Sequence, residues 1–271
     1  MTTRKLEVQG HAVTLTDAGQ GRPVLLLHGN PDSRHLWDKV VPLVAPSMRC
    51  IAPDLPGFGD STVEAPEFDP SLDGMARWVD AVVGASGVET PLDLVVHDFG
   101  GIFGLAWACS HPGKVRRIIV TNTLFHEDYR WHFWARVWRA PLLGESSMVL
   151  LGVPLLGRLT FAVSLRVGAP TLPWSELWEG SRHFVPRTRR MVLHIYRATD
   201  PENFAGWERR FLELAARIPV AVLWGEHDPY IPTSFARRFG TQKVRVLSDV
   251  GHWVALEAPE TLAALMREHF A

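Results

Sequence analysis

VVHDFGG, residues 95–101, joins an apolar strand to a helix that opens on two glycines. The run Leu92–Val96 is short and apolar throughout, which predicts a strand buried on both faces. Gly100–Ser110 behind it predicts a helix, closed by His111-Pro112-Gly113. A strand that turns tightly into a helix lifts the residue between them onto a sharp elbow, and Gly100 and Gly101 let the helix start close to the sheet. The elbow pattern G-x-S-x-G carries a serine there. This chain has Asp98, with Val96 in place of the leading glycine. A carboxylate gains little by attacking a carbonyl, but it can displace a leaving group from an sp3 carbon and form an alkyl ester.

Further short apolar runs flank this unit. Val24–Leu27, Cys50–Ala52, Ile118–Val120, Val220–Trp224 and Val244–Leu247 read as strands. Ser71–Ala85 fits an amphipathic helix, with Leu72, Met75, Trp78, Val79 and Val82 on one face. Strands alternating with helices predict an α/β fold, a mostly parallel central sheet with helices on both faces. Residues 124–217 show no clear strand. They hold Trp131, Trp134, Trp138, Trp174, Trp178 and Trp207, and thirteen arginines without a lysine. Trp131, Trp134 and Trp138 recur at helical spacing. The segment reads as a helical cap (124–217) inserted into a core domain made of 1–123 and 218–271. A chain of 271 residues suits one sheet domain with such an insertion.

Ligands of parallel sheets bind beyond the carboxyl ends of the strands. Four strand ends here carry polar groups: His28-Gly29-Asn30-Pro31, His97-Asp98, Gly225-Glu226-His227-Asp228 and Asp249-Val250-Gly251-His252. Alone, an aspartate after a strand is usually a helix cap, and a histidine near a chain end is usually surface or core. Jointly, in the order nucleophile, acid, histidine, they form a catalytic set. Asp98 would attack, His252 would activate water against the ester, and Asp228 would orient the imidazole. Glu226, Asp249 and Glu257 stand as alternatives for the acid. Backbone N–H groups of Asn30 and Phe99 would meet the oxyanion. Ser61 reads as turn chemistry.

Composition narrows the class of partner. Net charge is −1, which gives no reason to expect nucleic acid. An apolar cap predicts a hydrophobic small-molecule substrate, with water as the second reactant. No His, Cys or carboxylate set has metal-ligand spacing, so neither metal nor cofactor is expected. Cys50 and Cys109 sit in apolar runs and read as free thiols, which fits a cytoplasmic protein. Met1–Gln9 has no apolar core of a signal peptide. Ser146–Leu165 is apolar, but two glycines, Pro154 and Arg158 interrupt it. It reads as a broken helical segment packed on the protein or lining an apolar cavity, not as a membrane span.

HGNP at His28–Pro31, DLPGFGDS at Asp54–Ser61, VVHDFGG and GHWVALEAPE at Gly251–Glu260 together resemble the haloalkane dehalogenases and, second, the epoxide hydrolases of the α/β-hydrolase superfamily. The resemblance covers the sheet domain and is weak across the cap. It implies an α/β-hydrolase fold and a hydrolase that turns a hydrophobic haloalkane into alcohol and halide. Asn30 matches the asparagine whose amide holds the halide, and Asn122-Thr123 is similar to the version in which Asp228 is the acid. The dehalogenases carry tryptophan after the nucleophile, where this chain has Phe99, which lacks a donor. A cap tryptophan, Trp131 or Trp134, would then be the second donor. His132 is similar to a halide-site residue of the fluoroacetate dehalogenases. Their substrate-holding arginines are replaced by Ile102, Phe103 and Leu105. The epoxide hydrolases use two cap tyrosines, and LHIYR at Leu193–Arg197 places Tyr196 in one of those roles. An epoxide hydrolase giving a diol is therefore the alternative. Another ester-forming hydrolase, or a ligand binder without catalysis, completes the set.

Overall fold

Apolar runs a few residues long become the buried strands of an eight-stranded sheet. The computed structural model describes residues 1–271, His183 excepted. The strands are β1 (Thr2–Val8), β2 (His11–Ala18), β3 (Arg22–Leu27), β4 (Met48–Pro53), β5 (Leu92–His97), β6 (Val115–Thr121), β7 (Val220–Gly225) and β8 (Val244–Leu247), in the order β1-β2-β4-β3-β5-β6-β7-β8. From β4 to β8 all pairs are parallel, while β1 and β2 add an antiparallel edge. That hairpin is absent from the sequence reading. The residues of β1 alternate between solvent and partial cover, so they form no apolar run.

Successive side chains of a strand face opposite ways, and each face of this sheet has its own core. Leu25, Leu27, Leu94, Val96, Ile118 and Val120 face one side, with α2 (Leu72–Ser86) and α3 (Phe99–Ser110). Val24, Leu26, Val95, Ile119, Ala221 and Leu223 face the other, with α1 (Val41–Val44) and the C-terminal helices. Ser71 caps α2 by accepting from Gly74 N–H at 3.0 Å, and Gly87, at φ 68°, ends it. In α3 every residue from Phe99 to Ala108 is buried, because the helix lies between the sheet and its neighbours. Each large side chain buried there, such as Phe103, contributes ~1.5–3 kcal/mol.

Between β6 and β7 the chain forms α4 (Phe133–Arg139), α5 (Leu143–Leu150), α6 (Leu156–Gly168), α7 (Trp174–Gly180), α8 (Pro186–Ala198) and α9 (Trp207–Ala215), and no strand among the described residues. After β8 come α10 (Val254–Glu257) and α11 (Pro259–His269). Trp131 precedes α4 and so does not share a helix with Trp134 and Trp138, as their spacing suggested. The apolar stretch 146–165 breaks between α5 and α6. Among the described residues no helix is long and apolar enough to cross a membrane. Both cysteines are free.

Register aligns the carboxyl ends of the central strands. Leu27 pairs with Val96, His97 with Thr121, and Thr121 with Leu223. The loops that follow β3, β5, β6 and β7 therefore leave the sheet side by side.

Candidate active site

Asp98 stands between β5 and α3 at φ 47° and ψ −127°, a conformation that costs a residue with a Cβ roughly 1–3 kcal/mol. Its backbone is held on both sides. Asp98 N–H donates to Asn122 O at 3.1 Å, and its carbonyl accepts from the Thr123 hydroxyl at 2.5 Å. The glycines around it are required by space. A Cβ on Gly29 would overlap the Asp98 side chain, and one on Gly100 would strike the carbonyl oxygens of Leu27 and His28.

The Asp98 carboxylate accepts the Asn30 N–H at 2.6 Å through Oδ1. Its Oδ2 lies 3.6 Å from His252 Nε2. The opposite nitrogen, His252 Nδ1, is 2.8 Å from Asp228 Oδ2. Asp228 is fixed in turn by the N–H groups of Tyr230 and Ile231, at 2.8 and 3.0 Å, and by the Asn122 amide at 2.7 Å. Asn122, at φ 34°, also accepts Gly225 N–H at 3.0 Å. One side chain thus ties the ends of β6 and β7 to the acid, while its own carbonyl holds the elbow. Its position after a strand hinted at this, but nothing in the sequence pairs it with residues a hundred positions away. Glu226 and Asp249 are exposed, and Glu257 accepts Gly251 N–H. Of the four acids considered, Asp228 is the one the structure brings to the imidazole.

Charge in this buried cluster is strongly coupled. Burial alone would raise the Asp98 carboxyl, but His252 and the Asn30 N–H outweigh it and hold Asp98 below the usual carboxylate range. Asp228 is likewise depressed, by the same imidazole against the same burial. Burial would depress His252, yet two carboxylates push it up to about 10. Both carboxylates thus favour the charged form of the imidazole between them.

A cavity opens on this cluster. Trp131, His132, Trp134 and Tyr196 all line it, together with Asn30, Asp98 and His252. Phe99 packs behind them, stacked on Trp131 at 6.2 Å and edge-on to Tyr196 at 4.8 Å. The Tyr196 hydroxyl accepts from Asn30 Nδ2 at 3.3 Å, and burial keeps that phenol protonated, well above its ordinary range. The Trp131 indole N–H is buried without a protein partner among the described residues. His132 accepts Ala135 N–H at 3.4 Å, so it also caps α4, and burial lowers it to about 4. Tyr129 donates its hydroxyl to Tyr230 O at 3.0 Å, which commits it to structure.

Two neighbours escaped the sequence reading. Trp253 packs edge-on to His252 at 4.8 Å and donates to Asp32 at 2.6 Å, and burial pushes the Asp32 carboxyl up to about 7. Behind His252 lies the His97 ring, 4.7 Å away, which burial holds neutral by lowering it to about 3. Among the described residues no three His, Cys, Asp or Glu side chains are grouped to hold a metal.

Comparison with known proteins gives four findings. The family model described as alpha/beta hydrolase fold matches residues 22–259. The cis-3-alkyl-4-alkyloxetan-2-one decarboxylase of Shewanella oneidensis is 31% identical, over 98% of this chain and 86% of its own. A haloalkane dehalogenase of Mesorhizobium japonicum is 37% identical over 54% of this chain and 49% of its own. Among solved structures, the epoxide hydrolase CorEH superposes with a TM-score of 0.80 at 23% identity, over 99% of this chain and 98% of that one, which shows a shared fold.

Proposed function

The chain belongs to the alpha/beta hydrolase fold family, and from that premise we propose that it opens a carbon–oxygen bond of a small strained ring bearing apolar substituents, through an alkyl ester on Asp98. The observation that carries this reading is the Asn30–Tyr196 pair. The amide donates to the phenol oxygen at 3.3 Å, which leaves the phenolic proton for a departing oxygen. In the first step an Asp98 oxygen bonds to a ring carbon, the carbon–oxygen bond breaks, and Tyr196 protonates the released oxygen. Water then loses a proton to His252 and adds to the ester carbonyl. The oxyanion is met by Asn30 N–H, and collapse frees Asp98 and, from an epoxide, a diol, with the second water proton going to the departing alcohol and the proton on His252 returning to Tyr196. The 124–217 segment serves as the cap that keeps bulk water from the cavity.

Support for the strained ring, though not for the diol product, comes from the decarboxylase that aligns along almost the whole chain, whose name gives a four-membered cyclic ester with two alkyl groups as its substrate. Hydrolytic dehalogenation, expected from HGNP, is the second reading. It is favoured by the Trp131 indole, without a partner among the described residues, which with the Asn30 amide supplies two N–H donors for a halide. Tyr196→Phe separates the two. For a ring substrate it is expected to cut turnover by about 100- to 1000-fold, the usual effect of losing a donor to developing charge. Halide release from a bromoalkane by that variant at wild-type rate, with no ring opened by either enzyme, would overturn the first reading.

The pH profile follows from the same charges. Asp98 is depressed, so it stays ionised in mildly acid buffer and ester formation continues. Hydrolysis needs a neutral imidazole. Esterification removes the Asp98 charge, one of the two that raise His252, so the imidazole loses its proton more readily in the ester than in the free enzyme. As pH falls, kcat is expected to drop while kcat/KM holds, as measured in steady-state profiles.

A further inference from the structure

Twelve of the eighteen large apolar side chains that the described residues expose lie between Phe133 and Val167. They belong to α4, α5, α6 and the turns between them. Leu142, Val149 and Leu155 are among the most open, at 80%, 73% and 69%. This is the stretch whose apolar run is too interrupted to span a bilayer. Folded, it turns a greasy side outward, and monomeric soluble proteins rarely expose so large a patch without a partner.

Charge selects the partner. Arg130, Arg136, Arg139, Arg158 and Arg166 fall in residues 130–168, against one acid, Glu145, in a chain whose net charge is −1. Glu145 is engaged by Arg197 at 2.7 Å, whereas Arg130, Arg136 and Arg166 are exposed. Two copies of this face would meet with like charge. An anionic surface would not. Apolar helices edged by arginine, with Trp134 partly exposed at 41%, have the composition of interfacial helices. A groove between α4 and α6, lined by Phe133, Val163 and Val167, shares His132, Trp134, Ser164 and Tyr230 with the cavity above Asp98.

We propose that the α4–α6 face seats the protein on an anionic phospholipid surface, and that apolar substrate passes from that surface between α4 and α6 to Asp98. The passage of substrate rests on the ring-opening reading, while the seating does not.

Flotation of the whole protein with vesicles tests the seating without any substrate. Partition onto phosphatidylcholine vesicles containing phosphatidylglycerol is expected to exceed that onto phosphatidylcholine alone by about tenfold or more, and to weaken in high salt. The double variant Leu155→Glu/Leu159→Glu should lose vesicle binding. It should keep its melting transition and its turnover of a short water-soluble epoxide, since neither side chain lines the cavity. Sedimentation velocity should show a monomer for both proteins. No partition onto the anionic vesicles would overturn the proposal, as would a dimer that the double variant splits. Vesicle binding by a protein that opens no ring would uphold the seating and remove the ring-opening reading alone.

Discussion

A His252→Ala enzyme mixed with an apolar epoxide or oxetan-2-one is expected to gain the mass of one substrate and then stall. The two halves of the proposed reaction ask different things of the site. Ester formation needs the Asp98 carboxylate, which Asn30 N–H orients at 2.6 Å, and a donor for the departing oxygen, and neither of these is His252. Hydrolysis needs a base at the position of Nε2, 3.6 Å from Asp98 Oδ2. Removing the imidazole therefore blocks the second half and leaves the first. Asp98→Asn should differ in kind. An amide is a far weaker nucleophile, so turnover should fall by about three orders of magnitude or more, with no adduct. Intact-mass spectrometry after brief incubation reads both results. A His252→Ala protein that stays at its own mass with every ring and haloalkane offered would remove the carboxylate mechanism.

Asp228→Ala is expected to lower turnover by about three to four orders of magnitude. Its Oδ2 fixes the ring of His252 through Nδ1 at 2.8 Å, and its charge is one of the two that raise the imidazole. Without it the ring can rotate, and the nitrogen facing Asp98 is no longer assured of being the basic one. The fold should persist with a cost of ~1–3 kcal/mol, because the Asn122 amide and two backbone N–H groups lose their acceptor. Glu226→Ala and Asp249→Ala, at exposed positions, should leave turnover unchanged. Steady-state kinetics alongside thermal melts separates catalysis from stability. A comparable loss in either control would move the acid elsewhere.

The parts of this fold legible in the sequence are those where local chemistry leaves one option. A short apolar run ending in His-Asp-Phe-Gly-Gly can form a buried strand and an elbow, and it does so at Asp98. The carboxyl ends of the other strands are legible for a similar reason, since three of the four runs follow a proline, at Pro23, Pro91 and Pro219. What was missed either carries no local signal or depends on partners far along the chain. The β1–β2 hairpin has no apolar run to announce it, because Thr3, Lys5 and Glu7 face solvent. Phe99 could be read as lacking a donor, but not as the ring behind Trp131 and Tyr196. Asn122 acts through a positive φ and three hydrogen bonds that no spacing encodes. Trp131 shares its spacing with Trp134 and Trp138 but not their helix, because α4 begins after it.

The order of β7 and His252 behind the inserted helices bears on how the chain matures as it is made. Synthesis delivers Asp98 first, then the tryptophans of the inserted helices, and only afterwards the residues that close the cavity from below. Tyr230 packs on His132 at 5.0 Å, and His252 N–H reaches Gly168 O at 2.6 Å. Until those late residues leave the ribosome, the inner wall of the inserted helices faces water and β6 has an open edge where β7 will pair. Such a nascent chain presents apolar surface and an unpaired strand together, the combination that recruits chaperones or aggregates. The last fifth of the sequence thus finishes the cluster of Asp98, Asp228 and His252 and ends the interval in which the chain is most exposed to misassembly.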